Sequence, residues 1–259
     1  MEDKTIDNIK NYIFDMDGVL VLGNTPIDGV QDFINNLISK NINFAVLTNN
    51  PFYTPKDLQY KLSHVGLSIP EERFYTSAMA TASFLKAQKP NGSAYVIGES
   101  GLTTAIHNIG YTITKYNPDF VVLGETTNYS FENIAEACTL IKNGARFICT
   151  NPDPAGPTEN GIVPAAGALA SLISATTGKE PYFIGKPNPL MMRSVLRYIN
   201  AHSEETVMVG DRMETDIKSG MEAGMKTILV LTGLTTKEDA DKFPYSPSYI
   251  LNSVVDINT

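Results

Sequence analysis

The chain is poor in the side chains that mark redox and zinc proteins. It has only two cysteines, Cys138 and Cys149, and each falls in an apolar stretch. We therefore expect reduced thiols in a core rather than a disulfide or a cysteine metal site. The three histidines, His64, His107 and His202, are scattered over predicted helices and their ends without the spacing of a metal site or a catalytic pair, which favours surface or capping roles.

Basic residues and long apolar runs are also scarce. Twenty Lys and Arg stand against 28 Asp and Glu, a formal net charge of −8, which disfavours nucleic acid and anionic membranes as partners. A small phosphorylated ligand is still allowed, because local lysines and backbone N–H groups can bind phosphate in an acidic protein. No apolar run approaches the length of a membrane span, and no signal-peptide stretch follows Met1–Lys4, so we expect a cytoplasmic protein.

What the 259-residue chain does contain is a regular alternation of strand and helix patterns. Val30, Phe33, Ile34, Leu37 and Ile38 have the spacing of the buried stripe of an amphipathic helix, and Thr54-Pro55 is typical of a helix start. Short apolar runs predict strands at 11–14, 44–47, 74–76, 94–97, 120–123, 146–149, 182–185, 206–209 and 227–230. Such alternation predicts an α/β fold with parallel sheets and helices on both faces.

The strand ends that carry chemically capable residues lie in the first and last thirds of the chain. The middle third has acids and polar loops but no comparable group of residues. This distribution predicts one discontinuous core domain, residues 1–79 and 181–259, with an inserted domain at residues 80–180.

Asp15 and Asp17 are the most informative pair. The preceding run, Asn11–Phe14, is aromatic and β-branched, which places both acids at the carboxyl end of a buried strand, the edge where open α/β sheets bind ligands. A spacing of two in extended chain points both side chains to the same side. Two carboxylates placed so close repel each other unless a hard cation such as Mg²⁺ lies between them. Alone, the segment could equally be an ordinary Asp-Gly turn.

Three further strand ends carry polar residues. Thr48 and Asn49 follow the second strand and offer hydroxyl, amide and backbone groups to phosphate oxygens. Lys186 follows the strand expected at 182–185, and Asp211 and Asp216 lead from a later strand into a helix. Parallel strands would bring all four ends to one sheet edge. Acids, hydrogen-bond donors and a lysine together are what phosphoryl transfer requires.

In this order the motifs resemble the haloacid dehalogenase superfamily, and most closely its NagD-like phosphatases with the larger α/β cap. The resemblance covers essentially the whole chain and implies a Rossmann-like parallel-sheet core with an inserted α/β cap domain. The segments that carry it are Asp15–Leu20 (DMDGVL), Thr48-Asn49, Phe74–Ala80 (FYTSAMA), Gly144–Pro152 (GARFICTNP), Gly185-Lys186-Pro187 and Gly210–Ile217 (GDRMETDI). The segment Pro51–Tyr53 and the loop Asp153–Asn160 depart from it, so the resemblance says less about the substrate than about the reaction.

The resemblance implies a catalytic role for two acids and a metal site. Asp15 would be the nucleophile that forms an aspartyl-phosphate, and Asp17 would protonate the leaving alcohol and then activate water. Mg²⁺ would be held by Asp15, the main-chain carbonyl of Asp17 and Asp211, with Asp216 orienting its waters or Lys186.

The resemblance also implies which residues bind the phosphoryl oxygens. These would be Thr48, the backbone of Asn49, and Lys186. Arg212 is added as a candidate, although a solvated charge explains it equally well.

The predicted function is Mg²⁺-dependent hydrolysis of phosphate monoesters, with a small phosphorylated metabolite as partner and homo-oligomerisation left open. The resemblance favours nucleoside monophosphates, with sugar and aryl phosphates behind them. One alternative is a phosphotransferase that passes the group to a second alcohol. Another is a non-catalytic phosphate-binding regulatory module, which would tolerate loss of the acids, yet all of them are present.

Overall fold

The computed structural model describes residues 9–158 and 161–258. The chain forms two compact units. The first consists of Met1–Thr48, Leu58–Tyr75 and Pro189–Thr259, and the second of Asn49–Asp57 and Thr76–Asn188. The domain boundaries expected from sequence, at 79/80 and 180/181, fall near these divisions but not on them. Which segment acts as a separate cap stays a prediction.

Strands and helices alternate along the described residues. The strands are β1 (Asn11–Asp15), β2 (Val21–Leu22), β3 (Thr25–Pro26), β4 (Asn43–Thr48), β5 (Phe74–Thr76), β6 (Ser93–Ile97), β7 (Thr112–Ile113), β8 (Phe120–Leu123), β9 (Arg146–Cys149), β10 (Ala155–Thr158), β11 (Gly161–Pro164), β12 (Tyr182–Phe183), β13 (Thr206–Gly210), β14 (Lys226–Val230) and β15 (Tyr249–Leu251). The α-helices are α1 (Val30–Ser39), α2 (Pro55–His64), α3 (Ser77–Gln88), α4 (Ser100–Asn108), α5 (Phe131–Lys142), α6 (Ala166–Thr177), α7 (Pro189–Tyr198), α8 (Lys218–Glu222) and α9 (Lys237–Ala240).

The first unit is built on a six-stranded sheet with the order β15-β14-β13-β1-β4-β5. Strand β1 lies between β13 and β4 and runs parallel to both, and β14 and β15 continue the parallel run from β13. Phe14 of β1 packs edge-on against Phe33 of α1 and Phe44 of β4, which holds the helix on one face of the sheet. The carboxyl ends of β1, β4 and β13 are therefore neighbours at one edge.

The second unit has its own five-stranded parallel sheet, with the order β12-β9-β8-β6-β7. Its core joins Val121 and Phe147 of the sheet to Ile173 of α6 and Ala137 of α5. Two parallel sheets with alternating helices confirm the predicted α/β class. Cys138 and Cys149 are both buried and unbridged, as predicted.

Strand β12 corrects one expectation. The strand before Lys186 does not join the sheet that contains β1, β4 and β13, because it pairs with β9 in the second unit, Tyr182 opposite Ile148. The four motif-bearing strand ends thus belong to two sheets, not one. A two-residue strand has too little pattern of its own to select a sheet, so its partner surface decides the pairing.

The segment after β9, which was expected to be a loop, contains two strands. Strands β10 and β11 form an antiparallel hairpin, with Gly156 opposite Val163. Glu159 and Asn160, which belong to the loop that departs from the family pattern, lie outside the described residues. Ile162 on β11 is largely exposed.

Residues 9–158 and 161–258 include no helix that is both long and apolar enough to cross a membrane.

Candidate active site

Three buried carboxylates come together in the first unit. Asp15 is the last residue of β1, and Asp211 follows the last residue of β13. One carboxylate oxygen from each of Asp15, Asp211 and Asp216 can be chosen so that all lie within 4.8 Å of one another. Two charges at that separation repel by about 3 kcal/mol at an effective dielectric constant of 20. A cluster of this kind needs a cation or a shared proton.

The position of the Asp211 carboxylate is closely defined by its surroundings. Its Oδ2 accepts a hydrogen bond from the Leu234 N–H at 2.8 Å. A Cβ on Gly18 would lie 2.4 Å from that oxygen, and a Cβ on Gly233 would lie 2.0 Å from it. Only glycine therefore fits at these two positions while the carboxylate stays where it is.

Leu234 and Gly233 are functional candidates that the sequence reasoning missed. They lie in the turn that follows β14, the strand next to β13. The rule that singled out the ends of β1 and β13 applies to β14 as well, since it is parallel and adjacent. Their position after a parallel strand could have indicated them, but glycine and leucine have no catalytic or metal-binding side chain.

Asp216 lies in a π-helical turn, Met213–Ile217, that leads into α8. Its Oδ2 accepts a hydrogen bond from the Arg212 N–H at 3.1 Å, and the side chain is fully buried. A Cβ on Gly210 would lie 2.1 Å from the Asp216 Cβ, so glycine is needed there for the turn to fold back on the strand. π-Helical turns occur frequently at functional sites.

Asp17 is placed differently from Asp15. Strand β1 ends at Asp15, so strand alternation does not decide where the Asp17 side chain points. The chain bends at Met16, and Gly18 adopts a φ of +80° and donates its N–H to the Val21 carbonyl at 2.7 Å. Asp15 is buried whereas Asp17 is exposed. An exposed carboxyl is suited to exchange protons with a substrate or water.

Thr48 ends β4 at the same edge as Asp15. Asp15 stands opposite Leu47 in the parallel pairing, which puts Thr48 one residue beyond. Its side chain is buried. For Arg212 the structure shows main-chain hydrogen bonds with Asp216, and its predicted phosphate contact stays a prediction.

Asn49 and Lys186 belong to the second unit, where they contact each other. The Lys186 N–H donates to Asn49 Oδ1 at 2.8 Å, and Asn49 Nδ2 donates to the Lys186 carbonyl at 3.0 Å. Lys186 is 2% exposed. Of the eight predicted site residues, the structure thus brings Asp15, Asp211 and Asp216 into one group and Asn49 and Lys186 into another.

Comparisons with known proteins agree with these motifs. The profile of the family described as haloacid dehalogenase-like hydrolase matches residues 12–112, and a HAD-hydrolase-like profile matches residues 183–257. A dihydroxyacetone phosphatase of Corynebacterium glutamicum is 56% identical over 247 residues, covering 95% of this chain and 90% of that protein. The ribonucleotide monophosphatase NagD of Escherichia coli is 44% identical over 250 residues, covering 96% of this chain and 98% of that protein. The chain belongs to the NagD-like phosphatases of the haloacid dehalogenase superfamily.

Solved structures of this family have the same fold. NagD from Escherichia coli matches with a TM-score of 0.92 at 44% identity, covering 97% of this chain and 99% of that one. A 4-nitrophenylphosphatase from Thermotoga maritima matches with a TM-score of 0.90 at 35% identity, covering 95% of each chain. The predicted family, its α/β fold and its phosphatase class are therefore confirmed.

Proposed function

We propose that this NagD-like phosphatase hydrolyses small phosphate monoesters with Mg²⁺ as cofactor and Asp15 as nucleophile. The observation that carries the proposal is the group of three buried carboxylates, Asp15, Asp211 and Asp216, beside the carboxyl ends of β1 and β13. Buried acids at this density are unfavourable unless positive charge is supplied, and the reaction brings further negative charge with the phosphate.

The donor set fits Mg²⁺. All three side chains offer oxygen, which hard divalent cations prefer, and a nitrogen or sulfur ligand is not among them. We propose that Asp15, Asp211 and the Asp17 carbonyl hold the ion, with Asp216 near enough to bind it or to orient its waters. When bound, Mg²⁺ would neutralise charge on the phosphoryl oxygens and position the phosphate.

The side chains of Asp15 and Asp17 would share the covalent chemistry. In the first step an Asp15 carboxylate oxygen attacks phosphorus, the bond to the leaving oxygen breaks, and the Asp17 carboxyl gives that oxygen its proton. In the second step Asp17, now ionised, takes a proton from water as the water oxygen attacks phosphorus. The bond to Asp15 breaks, inorganic phosphate leaves, and both acids return to their starting states.

Thr48, the Asn49 backbone and Lys186 are proposed to bind the phosphoryl oxygens. A hydroxyl, an N–H group and an ammonium supply neutral and charged donors to the three oxygens that carry the developing charge. Burial of Lys186 supports this role, because a lysine removed from water interacts strongly with an anion.

For the substrate we propose a short-chain phosphate ester such as dihydroxyacetone phosphate. The support is the 56% identity to the dihydroxyacetone phosphatase, against 44% to the ribonucleotide monophosphatase. Nucleoside monophosphates, which the sequence resemblance favours, are the second candidate on the strength of NagD. Homo-oligomerisation and a cytoplasmic location stay predictions.

A phosphate-release assay tests the proposal. The purified protein is given dihydroxyacetone phosphate, nucleoside monophosphates, hexose phosphates and 4-nitrophenyl phosphate, each with Mg²⁺ and with a chelator. We expect Mg²⁺-dependent turnover of all classes to some degree, with the highest kcat/KM for dihydroxyacetone phosphate. Release that is unaffected by chelation would contradict the metal. Phosphate binding without release would favour the regulatory module. Release of the leaving alcohol in excess of inorganic phosphate when a second alcohol is added would favour the phosphotransferase.

A further inference from the structure

We propose that the Asn49 side chain is a positioning residue that holds the main chain of Lys186 and couples it to Asp153. The inference rests on the proposed function, in which Lys186 binds the phosphoryl group. It adds a role for the amide side chain, whereas the family resemblance concerns only the Asn49 backbone. All three residues belong to the second unit.

The Asn49 side-chain amide forms hydrogen bonds with both main-chain polar groups of Lys186. Its Oδ1 accepts the Lys186 N–H at 2.8 Å, and its Nδ2 donates to the Lys186 carbonyl at 3.0 Å. The same Nδ2 also donates to Asp153 Oδ2 at 2.9 Å. With both donor hydrogens and the carbonyl oxygen engaged, the orientation of the amide is fully determined.

This pair lies where the chain turns at the end of β12, next to the end of β9. Beyond the paired residues of β12 and β9, the Ile184 N–H donates to the Cys149 carbonyl at 3.0 Å and the Gly185 N–H donates to the Thr150 carbonyl at 2.8 Å. At Lys186 the acceptor becomes the Asn49 side chain instead of the next backbone carbonyl. The amide therefore binds the main chain of Lys186 in the turn that follows β12, beyond the end of β9.

Close packing leaves little freedom at this point. A Cβ on Gly185 would lie 2.6 Å from Asn49 Oδ1 and 2.7 Å from the Thr150 carbonyl oxygen. Lys186 is buried, so its main-chain groups need protein partners when water is excluded. Loss of the amide would remove the partners of both groups at once, and Lys186 would shift to find others.

Asn49 is itself anchored from two directions. Its carbonyl accepts hydrogen bonds from Asn151 Nδ2 at 3.0 Å and from Ser77 Oγ at 2.5 Å, and Asn151 Nδ2 also donates to Glu125 Oε1 at 2.8 Å. Asp153 lies two residues before the start of β10 at Ala155. The network thus joins the phosphate-binding lysine to the segment that leads into the hairpin, and a change in that segment would reach the phosphate contact shared by every substrate.

Asn49→Asp is the main test, with Asn50→Asp as the matched control. The first substitution keeps the shape but removes the donor to Lys186 and Asp153 and places two carboxylates together. The second adds the same charge one residue along, where the side-chain oxygen that accepts the Phe52 N–H is retained. Measurements are kcat and KM for dihydroxyacetone phosphate and 4-nitrophenyl phosphate, and calorimetric binding of inorganic phosphate, all with saturating Mg²⁺.

We expect Asn49→Asp to weaken phosphate binding about tenfold or more and to raise KM by a similar factor for both substrates. The reason is that displacing the positioned lysine by a fraction of an ångström weakens its contact with the phosphoryl oxygens. The ratio of kcat/KM between the substrates should not change. Asp153→Asn should act in the same direction but less, and it serves as the second variant if Asn49→Asp fails to fold by thermal melting. Phosphate binding that is unchanged in a folded Asn49→Asp protein would overturn the proposal.

A double-mutant cycle with Lys186→Ala separates positioning from general structural support. If Asn49 acts through the lysine, Asn49→Asp should reduce phosphate binding by less than about threefold once Lys186 has been truncated. A further loss as large as in the wild type would show that Asn49 acts independently and would refute the coupling. If Lys186→Ala alone leaves phosphate binding intact, the lysine's part in the proposed function fails, and the positioning role fails with it.

Discussion

Replacing Gly18 by alanine would test whether the position of the Asp211 carboxylate controls metal binding. Gly18 has a φ of +80°, and a Cβ there would lie 2.4 Å from Asp211 Oδ2. The oxygen would have to retreat by about 1 Å to reach 3.4 Å, where ordinary van der Waals contact begins, because packed interiors do not tolerate closer approach. Gly233 packs against the same oxygen, and the Leu234 N–H holds it at 2.8 Å, so a retreat would break that hydrogen bond.

Gly29→Ala is a closely matched control. Gly29 also has a φ of +80°, but a Cβ there would meet only Val255 Cγ1, at 3.5 Å. Both substitutions place alanine in the left-handed region at a cost of about 1–2 kcal/mol. For a chain of this size that cost lowers the thermal midpoint by roughly 2–8 °C. The backbone penalty is therefore common to both variants, and only Gly18→Ala moves the carboxylate.

The assay is phosphate release from 4-nitrophenyl phosphate as a function of Mg²⁺ concentration. For Gly18→Ala we expect the half-saturating Mg²⁺ concentration to rise at least about tenfold and kcat to fall about 100-fold, the loss that a misplacement approaching 1 Å can cause. For Gly29→Ala we expect both quantities to stay within about twofold of wild type, since no side chain in the site is displaced. If the two variants have the same Mg²⁺ dependence, the Asp211 carboxylate does not hold the ion.

Three further predictions concern the nucleophile, the β10–β11 hairpin and the two cysteine thiols. Asp15→Asn should reduce turnover below a few per cent of wild type without unfolding the protein, because an amide is a poor nucleophile; substantial activity and a trapped phosphoryl group elsewhere would exclude Asp15. Replacing residues 155–164 by a short Gly-Ser linker should change the relative rates on triose, nucleotide and aryl phosphates while 4-nitrophenyl phosphate is still hydrolysed; an unaltered profile would show that the hairpin is not the selector. Burial raises the pKa of the Cys149 thiol to about 12 and that of Cys138 above its usual value, so both thiols stay protonated at pH 8. A thiol reagent should label neither in the folded protein and both in denaturant, and rapid labelling of the folded protein would contradict their burial.

Many of the elements could be read from the sequence because their patterns are local. Strands β5, β8 and β9 begin and end at the predicted residues, β1, β6, β13 and β14 differ by one residue at one end, and β4 is one residue longer at each end. These are near-continuous apolar runs, the signature of strands that are covered on both faces. The start of α2 follows the predicted cap, since the Asp57 N–H donates to Thr54 Oγ1 at 3.2 Å.

Several short strands were not predicted from the sequence. Strands β2, β3 and β7 are two residues long, too short for a periodic pattern, and β10 and β11 lie in a segment whose Pro and Gly content indicated a loop. Ile38 of α1 was expected on the buried stripe but is 42% exposed, because the stripe that packs on the sheet ends at Leu37.

Some features of the candidate site could likewise be predicted from the sequence, and others depend on the tertiary structure. The sequence by itself determined that Asp15 and Asp211 lie at the carboxyl ends of buried parallel strands, because strand length, apolar content and the residues at the strand end are all local properties. Only the tertiary structure decided that Asp216 joins them, since this requires Gly210 to admit the folded-back turn, and that Leu234 and Gly233 hold the Asp211 carboxylate.

The lysine shows the limit of sequence reasoning most clearly. Its identity and its place after a strand could be read from the chain, but the sheet that this strand joins could not, because a pairing between β12 and β9 is decided by surfaces that meet only after folding. The same holds for the Asn49 amide, which reaches Lys186 across 137 positions of sequence. Local pattern specifies which residues are available for chemistry, and long-range packing specifies which of them act on one another.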